Sequence, residues 1–466
     1  LKVLITGITG LIGKEVGKIL VQHGHSVVGL SRDVRKAGRE LPFPVTLFPW
    51  AGGSEAVPAQ ALSGVDAVVN LAGESIAGGR WTPARKKKIY DSRIDGTRSL
   101  INSITQNPET KNTLKAFVHG SAIGYYGKHE DDVIDEEVTN GKGFLAEVTR
   151  DWEAEAERLK SDAGTQQIRL VKVRTGLVFA RHGGALQKMF SIFSHGLGGR
   201  LGDGKQWVSW IHIEDIANLI VFCLENQEVS GVINGVAPEP VRNDRFTIEL
   251  ARALARPVFL PVPEQAIRAA LGEMASAVLD SQRVQPKRAL ELGFTYRHPE
   301  LVHALHEICE PLKNGQHELL SEQWVPQSPE KIFPYFSSET NLEELTPKFL
   351  NFRVLGKSTP QIGVGTLIDY RLSVHGIPLK WRSRIEEWVS NRKFVDVQLT
   401  GPYKSWHHTH EFEPLAGGTL MRDRVLYKLP LGFLGDIAMG WRVAGDVSTI
   451  FDFRRKKIDE IFGAGR

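Results

Sequence analysis

The stretch Lys2-Val3-Leu4-Ile5-Thr6-Gly7-Ile8-Thr9-Gly10-Leu11-Ile12-Gly13 decides how the first half of the chain is read. Lys2 to Thr6 is a short apolar run with a β-branched majority, as in a strand buried on both faces of a sheet. Gly7, Gly10 and Gly13 follow, and Lys14 to Gln22 then repeats apolar residues at helical spacing. Strand, glycine turn and helix in that order make the first half of a dinucleotide site. Gly7 permits a tight turn, Gly10 leaves room for a pyrophosphate, and Gly13 lets the helix lie close to the strand. The backbone from Thr9 through Gly10, Leu11 and Ile12 to Gly13 offers that phosphate free N–H groups and the positive end of the helix dipole.

The glycines are spaced GxxGxxG rather than GxGxxG. With Thr6 in front, the string resembles the TGxxGxxG turn of the extended short-chain dehydrogenase/reductase family. His25 to Leu30 reads as the second strand and ends at Ser31-Arg32-Asp33. An acidic residue at that end binds the ribose diol of NAD, whereas an Arg meets the 2′-phosphate of NADP. Arg32 precedes Asp33, so NADP(H) held by Ser31 and Arg32 is expected; a surface Arg on a strand–helix loop is the alternative. Asp66 to Leu71 is a further buried strand, and the small residues after it let a ring or ribose lie against backbone. Leu71, Ala72 and Gly73 are therefore cofactor candidates, in an NLAG segment that resembles the family's stretch beside the adenine-ribose half.

Thr82 to Ile104 reads as a long helix with Thr82 as N-cap and Pro83 in its first position. Phe117 to Gly120 is a strand that delivers Ser121, and Leu170 to Arg174 is another. Strands alternating with helices predict an α/β, doubly wound parallel sheet of Rossmann type. From Arg181 onward glycines at 183, 184, 196, 198, 199, 202 and 204 suggest flexible loops over a substrate. Near Trp210 a new helix begins, with Glu214 or Asp215 in its first turn and His212 a packed histidine rather than a catalyst. The strings NLAGESIAGGRW, SRIDGTRSL, SAIGYYG, FLAEVTRDWE, RTGLVFARHGGAL and WVSWIHIEDIA resemble one subgroup of the extended family, the epimerase-like nucleoside-diphosphate sugar epimerase family proteins. VAPEPVRNDRFT and SQRVQPKRALELGF resemble its C-terminal segment. The resemblance implies one NADP-binding domain over residues 1–308, with a substrate subdomain mostly in 181–205 and 235–305, and a small-molecule substrate.

Enzymes of that family use a Ser or Thr, a Tyr, and a Lys four residues after the Tyr. A Tyr phenol, with a pKa of about 10, is a poor base until a neighbouring cation favours its ionised form. Ser121 stands where the family's hydroxyl stands. The next helix, however, reads Phe144-Leu145-Ala146-Glu147-Val148-Thr149-Arg150-Asp151-Trp152, with neither the Tyr nor the Lys. Tyr125 and Tyr126 are the candidate substitutes, although a YYG turn is also common for packing. Glu74 and Arg80 are candidate substrate contacts, because an Arg in the AGGRW loop can bind an anionic group. Glu147 is a further charge of the same kind, and each of the three is equally read as a solvated residue.

Cys309 to Gln316 breaks the pattern with Pro311, Asn314 and Gly315 and reads as a linker, 309–316. Beyond it the stretches Glu318 to Val325, Phe349 to Leu355, Gly365 to Val374, Leu379 to Trp388, Phe394 to Leu399, Trp406 to Phe412 and Leu420 to Leu429 read as strands of an antiparallel meander. Ser328-Pro329 starts a short helix, and Phe433 to Phe462 reads as one long helix. This order resembles the START-like helix-grip family of ligand-binding and polyketide cyclase-type proteins, an α+β domain over 317–466. The resemblance implies a cavity for an apolar or aromatic ligand, with Trp381, Trp388, Trp406, Phe412 and Tyr427 lining it or simply filling a core. His408 and His410 share a strand face, but no third ligand stands at a metal-binding spacing, so no metal is assigned.

The chain has 466 residues, enough for two or three domains, and its 41% hydrophobic and 24% charged content is that of a soluble globular protein. A net charge of +4 is small for this length, and Arg85–Lys88 and Arg454–Lys457 fall in helical patterns, so no nucleic acid is expected. Cys223 and Cys309 are the only cysteines, which excludes a disulfide framework and suits a reducing compartment. No run approaches the ~18 apolar residues of a spanning helix, and the chain begins on a core strand rather than a signal peptide. A cytoplasmic protein is expected, its oligomeric state not legible. An NADP-dependent oxidoreductase or epimerase, a cofactor-binding regulator that senses a ligand, and a carrier with a structural Rossmann half all fit.

Overall fold

The computed structural model describes residues 1–463 apart from Phe259. The chain divides into two compact units, Leu1–Ala37 with Val45–Glu310, and Gly38–Pro44 with the chain from Pro311 on. The first unit is built on a parallel sheet of β1 (Lys2–Thr6), β2 (Ser26–Ser31), β3 (Thr46–Pro49), β4 (Ala67–Asn70), β5 (Ala116–Ala122), β6 (Arg169–Thr175) and β7 (Gly231–Gly235). Their order is β7-β6-β5-β4-β1-β2-β3. The chain leaves β1 toward β2 and β3, then crosses back to β4, so the switch point lies between β1 and β4, the crevice where such sheets bind ligands. Val3, Leu4 and Ile5 are fully buried, as the apolar run requires.

One face of the sheet packs on α2 (Pro83–Gln106) and α3 (Phe144–Ser161): Leu4, Val68, Phe117 and Leu170 meet Leu100, Ile104 and Leu159 in one core. Each such side chain contributes roughly 1.5–3 kcal/mol by burial. The helix after the glycine turn, α1 (Leu11–Gln22), buries Val16, Ile19 and Leu20 at helical spacing. Thr82 caps α2, its side chain accepting from the Arg85 amide, and Pro83 fills the first position as expected.

Two features of this unit depart from the sequence reading. β3 and β7 are not evident from pattern, and both are edge strands: one is a partly exposed Thr-Leu-Phe-Pro, the other begins and ends on glycine. Residues 184–194 are a helix rather than a flexible loop, since Leu186, Phe190 and Phe193 recur on one buried face. Gly183 and Gly184, with φ of +105° and +69°, form the turn into it. His212 is buried and caps the helix Ile213–Glu225 by accepting from the Glu214 amide, and Glu214 and Asp215 both lie in its first turn.

The second unit is a seven-stranded antiparallel sheet of β8 (His317–Val325), β9 (Arg353–Lys357), β10 (Leu367–Val374), β11 (Ile377–Val389), β12 (Lys393–Thr400), β13 (Ser405–Leu415) and β14 (Gly418–Lys428). From β9 to β14 it runs as a meander, and β8 joins the free edge of β14. β9 starts later than the expected Phe349, because Lys348–Leu350 is a single 3₁₀ turn ending at Asn351 with φ +44°. The long helix α4 (Phe433–Phe462) lies on the sheet's inner face, with Val447 and Phe451 against Val425 and Tyr427, and Ile458 against Phe394 and Phe412. Among the described residues no helix is long and apolar enough to cross a membrane.

Candidate functional site

At the switch point the Gly7 turn lies against the loop after β4. Gly7 has φ +68°, and a Cβ there would stand 2.8 Å from the Leu71 carbonyl oxygen. A Cβ on Gly13 would stand 2.4 Å from the Gly7 carbonyl oxygen, so only glycine lets α1 seat this closely. Gly10 precedes α1 as its N-cap and, with Thr9, is exposed; Leu11 and Ile12 are half-buried at its first turn. That turn carries no acidic residue, so its unpaired N–H groups and dipole have no local counter-charge and suit a phosphate.

Beneath the turn, the Thr6 hydroxyl donates to Asn70 Oδ1 (2.6 Å) and accepts from the Leu71 and Ala72 amides, both at 3.0 Å. Asn70 in turn donates to Thr97. The Arg93 guanidinium lies under Gly73, 3.0 Å from where a Cβ would be, and donates to the Glu74 carbonyl. Burial pushes Arg93 down to about 10, which still leaves it charged at neutral pH.

At the end of β2, the Asp33 carboxylate accepts from the Lys36 amide (2.9 Å) and so serves the helix Val34–Glu40. Ser31 Oγ donates to the Asp33 carbonyl. Arg32 is exposed, and among the described residues no hydrogen bond or ion pair holds it. A cationic group is thus available where a 2′-phosphate would lie, and the adjacent carboxylate is engaged elsewhere.

The catalytic candidates are placed unequally. Ser121 is buried, and its hydroxyl donates to Glu153 Oε1 at 2.7 Å. Arg174 grips the same carboxylate through Nε (2.8 Å) and Nη2 (2.9 Å). Burial pushes Glu153 upward, but the Arg174 and Ser121 hydrogen bonds prevail and hold it below the usual carboxylate range. Tyr126 is fully buried, donates to Asn234 Oδ1 (2.7 Å), and is pushed up to about 12 by burial. Its hydroxyl is thus committed inside the protein. Tyr125 is half-buried, with the Arg174 guanidinium carbon 3.4 Å from its ring centroid. Glu74 pairs with Arg85 at 2.7 Å, and exposed Arg80 donates to the Ala269 carbonyl, so both are engaged by the protein's own groups. Glu147 is exposed on the first turn of α3.

Within the second unit, sheet and α4 enclose a cavity of about 210 Å³. Its wall is apolar, with Ile368, Trp381, Trp388 and Trp406 among its residues, and its polar floor is Asp396, His408, His410 and Arg454. Of the aromatics expected there, Phe412 and Tyr427 instead fill the sheet–helix core. Asp396 lies opposite His408 on β12 and β13, and His410 lies opposite Asp423 on β13 and β14. The third acidic neighbour that sequence spacing did not offer comes from the strands on either side.

Comparison with known proteins covers the first unit. The profile of the NAD dependent epimerase/dehydratase family matches residues 3–234, and a domain of unknown function (DUF1731) matches residues 262–308. The Arabidopsis thaliana protein named Epimerase family protein SDR39U1 homolog, chloroplastic, is 41% identical over 310 residues, 66% of this chain and 86% of its own length. The chain belongs to the NAD-dependent epimerase/dehydratase family. The human family member SDR39U1, whose crystal structure was solved with NADPH, superposes with a TM-score of 0.58 at 36% identity, over 66% of this chain and 99% of that one. A nucleoside-diphosphate sugar epimerase of Corynebacterium glutamicum superposes with a TM-score of 0.53 at 31% identity, over 66% of this chain and 58% of that one.

Within this family frame, the residues that reading the sequence missed are Arg93, Glu153 and Arg174. Each lies inside a family-like string, yet its partner comes from another element, so no local pattern marks it. Both family profiles end by residue 308, and Asp396, Asp423 and Arg454 lie beyond them.

Proposed function

We infer that residues 1–308 bind NADP(H) and use it in an oxidoreductase or epimerase-like reaction on a small molecule. Residues 317–466, joined through 309–316, form a helix-grip domain that holds an apolar or aromatic ligand. The observation that carries the first statement is the end of β2, where Arg32 is exposed and unpaired while Asp33 caps a helix. The NADPH in the human relative's structure supports the same cofactor. When bound, the nicotinamide supplies or accepts a hydride. Gly7, Gly10, Gly13 and the first turn of α1 hold the pyrophosphate, Ser31 and Arg32 the 2′-phosphate, and Leu71, Ala72 and Gly73 the adenine-ribose half. Residues 181–205 and 235–305 form the substrate subdomain, with Glu74 and Arg80 at the rim.

Tyr125 is the acid–base candidate of choice, because its phenol is not committed inside the protein and Arg174 packs on its ring to fix its direction. Ser121 acts through its bond to Glu153, which orients the Glu153–Arg174 pair beneath Tyr125. The test is NADPH oxidation across a panel of sugars, quinones and carbonyls. Turnover that falls about 10²-fold or more in Tyr125→Phe, with NADPH affinity unchanged, supports the assignment; wild-type turnover in that variant removes it.

A second reading, a cofactor-binding regulator without turnover, draws on the buried, engaged Ser121 hydroxyl and on a helix at Phe144 that lacks the Tyr–Lys pair. NADPH binding without oxidation across the whole panel favours it.

A further inference from the structure

On the floor of the second unit's cavity the possible ligand atoms of three side chains converge. Asp396 Oδ1 lies 3.2 Å from His410 Nε2 and 3.6 Å from His408 Nδ1. One ligand atom from each of the three residues lies within 4.8 Å of the others. On the opposite side of the two rings, Asp423 Oδ1 lies 3.1 Å from His408 Nε2 and 2.8 Å from His410 Nδ1. Asp423 does not line the cavity, whereas Asp396, His408 and His410 do.

Tautomers follow from this geometry. An ionised Asp423 accepts from His408 Nε2 at 3.1 Å, and Arg454 Nη2 donates to His410 Nδ1 at 3.2 Å. His408 Nδ1 is then left with a lone pair 3.6 Å from Asp396 Oδ1, while His410 Nε2–H donates to Asp396 Oδ1 at 3.2 Å, a proton whose place a metal would take. Once that proton is displaced, Asp396 Oδ1, His408 Nδ1 and His410 Nε2 are three donors around one point.

We propose that Asp396 Oδ1, His408 Nδ1 and His410 Nε2 form a binding site for a divalent first-row transition metal, with an open coordination position facing the cavity.

Two of the three separations match a tetrahedral ion, and the third lies within 4.8 Å. Ligands at the usual 2.0–2.2 Å from a tetrahedral ion stand about 3.3 Å apart, against 3.2 and 3.6 Å here. Two imidazoles and one carboxylate, with the remaining position open, are the donors of zinc and non-haem iron(II) sites rather than of magnesium or calcium. Asp423 takes the part of the carboxylate that fixes a metal-bound imidazole through its other nitrogen. The rings are held by apolar neighbours: Phe394 stacks on His410 at 4.0 Å between centroids, and Phe451 stands edge-on to His408 at 5.3 Å. Arg454 lies on the Asp423 side, its Nη2 3.4 Å from Asp423 Oδ1 and 3.2 Å from His410 Nδ1, and with Asp423 makes a neutral pair behind the ion. Cavity wall and open position together suit an occupant with an apolar body and one oxygen or nitrogen donor, which deepens the ligand reading above without depending on it.

Among the described residues two other clusters of this kind occur, His23–His25–Glu225 and His212–Glu214–His298, so the test must separate them. Crystals of the full chain soaked in Zn²⁺ are measured on both sides of the zinc absorption edge. An anomalous peak bonded to Asp396, His408 and His410 supports the site; its absence there overturns it, whatever the other clusters hold. In solution, Co²⁺ is titrated into the full chain and read by its visible absorption. Asp396→Asn and His410→Gln should weaken the cavity component at least ~100-fold and Asp423→Asn about 10–100-fold, while His23→Gln and His298→Gln keep it. Cooperative melting of each variant is checked first. Co²⁺ binding unchanged in a folded Asp396→Asn overturns the proposal, and the cluster is then a hydrogen-bonded network only.

Discussion

Each unit buries a cluster of charged side chains, and the two clusters differ in what they leave open. In the first unit Glu153 is answered on both oxygens by Arg174, and Ser121 completes it. In the second, Asp423 is answered by His408 and Arg454, while Asp396, on the wall of a cavity, takes one bond from His410 and faces the His408 lone pair at 3.6 Å. A closed cluster orders the elements that supply it. A cluster left incomplete beside a cavity is poised for a ligand, because buried polar groups are costly until they are satisfied.

The closed cluster should break hardest. Glu153→Ala strips the partner from a buried guanidinium and should cost about 3–5 kcal/mol. The measurement is the urea midpoint of the first unit's unfolding. A change below about 1 kcal/mol would show that water reaches Arg174 and that the cluster is not closed.

Acid sharpens the comparison. His119 in the first unit and His408 in the second are both pushed by burial to about 4. Unfolding releases each to about 6.5, so the unfolded chain binds the extra proton between those values. The stability is present above about 6.5 and is lost as pH falls toward about 4, at up to roughly 1.4 kcal/mol per pH unit for each histidine. Urea midpoints taken through that window for wild type, His119→Gln and His408→Gln should show each variant flattening the slope of its own unit alone. Equal slopes in all three would contradict neutral burial.

The smallest effect is expected at Tyr126, where Tyr126→Phe removes the bond to buried Asn234 and should cost about 1–3 kcal/mol without touching turnover. Loss of turnover at unchanged stability would return Tyr126 to the catalytic candidates.

The sequence made legible whatever a local period carries. The β1 turn and the bounds of the last helix, Phe433–Phe462, are where the pattern places them. What stayed hidden depends on pairing. β3 and β7 lie at sheet edges and lack the apolar run of an interior strand. Glu153 and Arg174 sit on different elements of α3 and β6, so neither string announces the other. Asp396 meets His408 only through the register of β12 and β13, and that register rests on how residues 401–404 turn. Phe144 shows the reverse case: the missing Tyr–Lys pair is plain in sequence, while the burial that sets Tyr126 apart from Tyr125 needs the fold.

The cofactor assignment is the claim on which the functional account stands, and calorimetric titration of NADPH and NADH into wild type and Arg32→Ala tests it most directly. A charge-assisted contact to the 2′-phosphate contributes ~1.5–3 kcal/mol, or roughly tenfold to a hundredfold in affinity. The account predicts that wild type prefers NADPH by that factor and that Arg32→Ala loses the preference while NADH binding is unchanged; equal affinity for the two cofactors in wild type would contradict it.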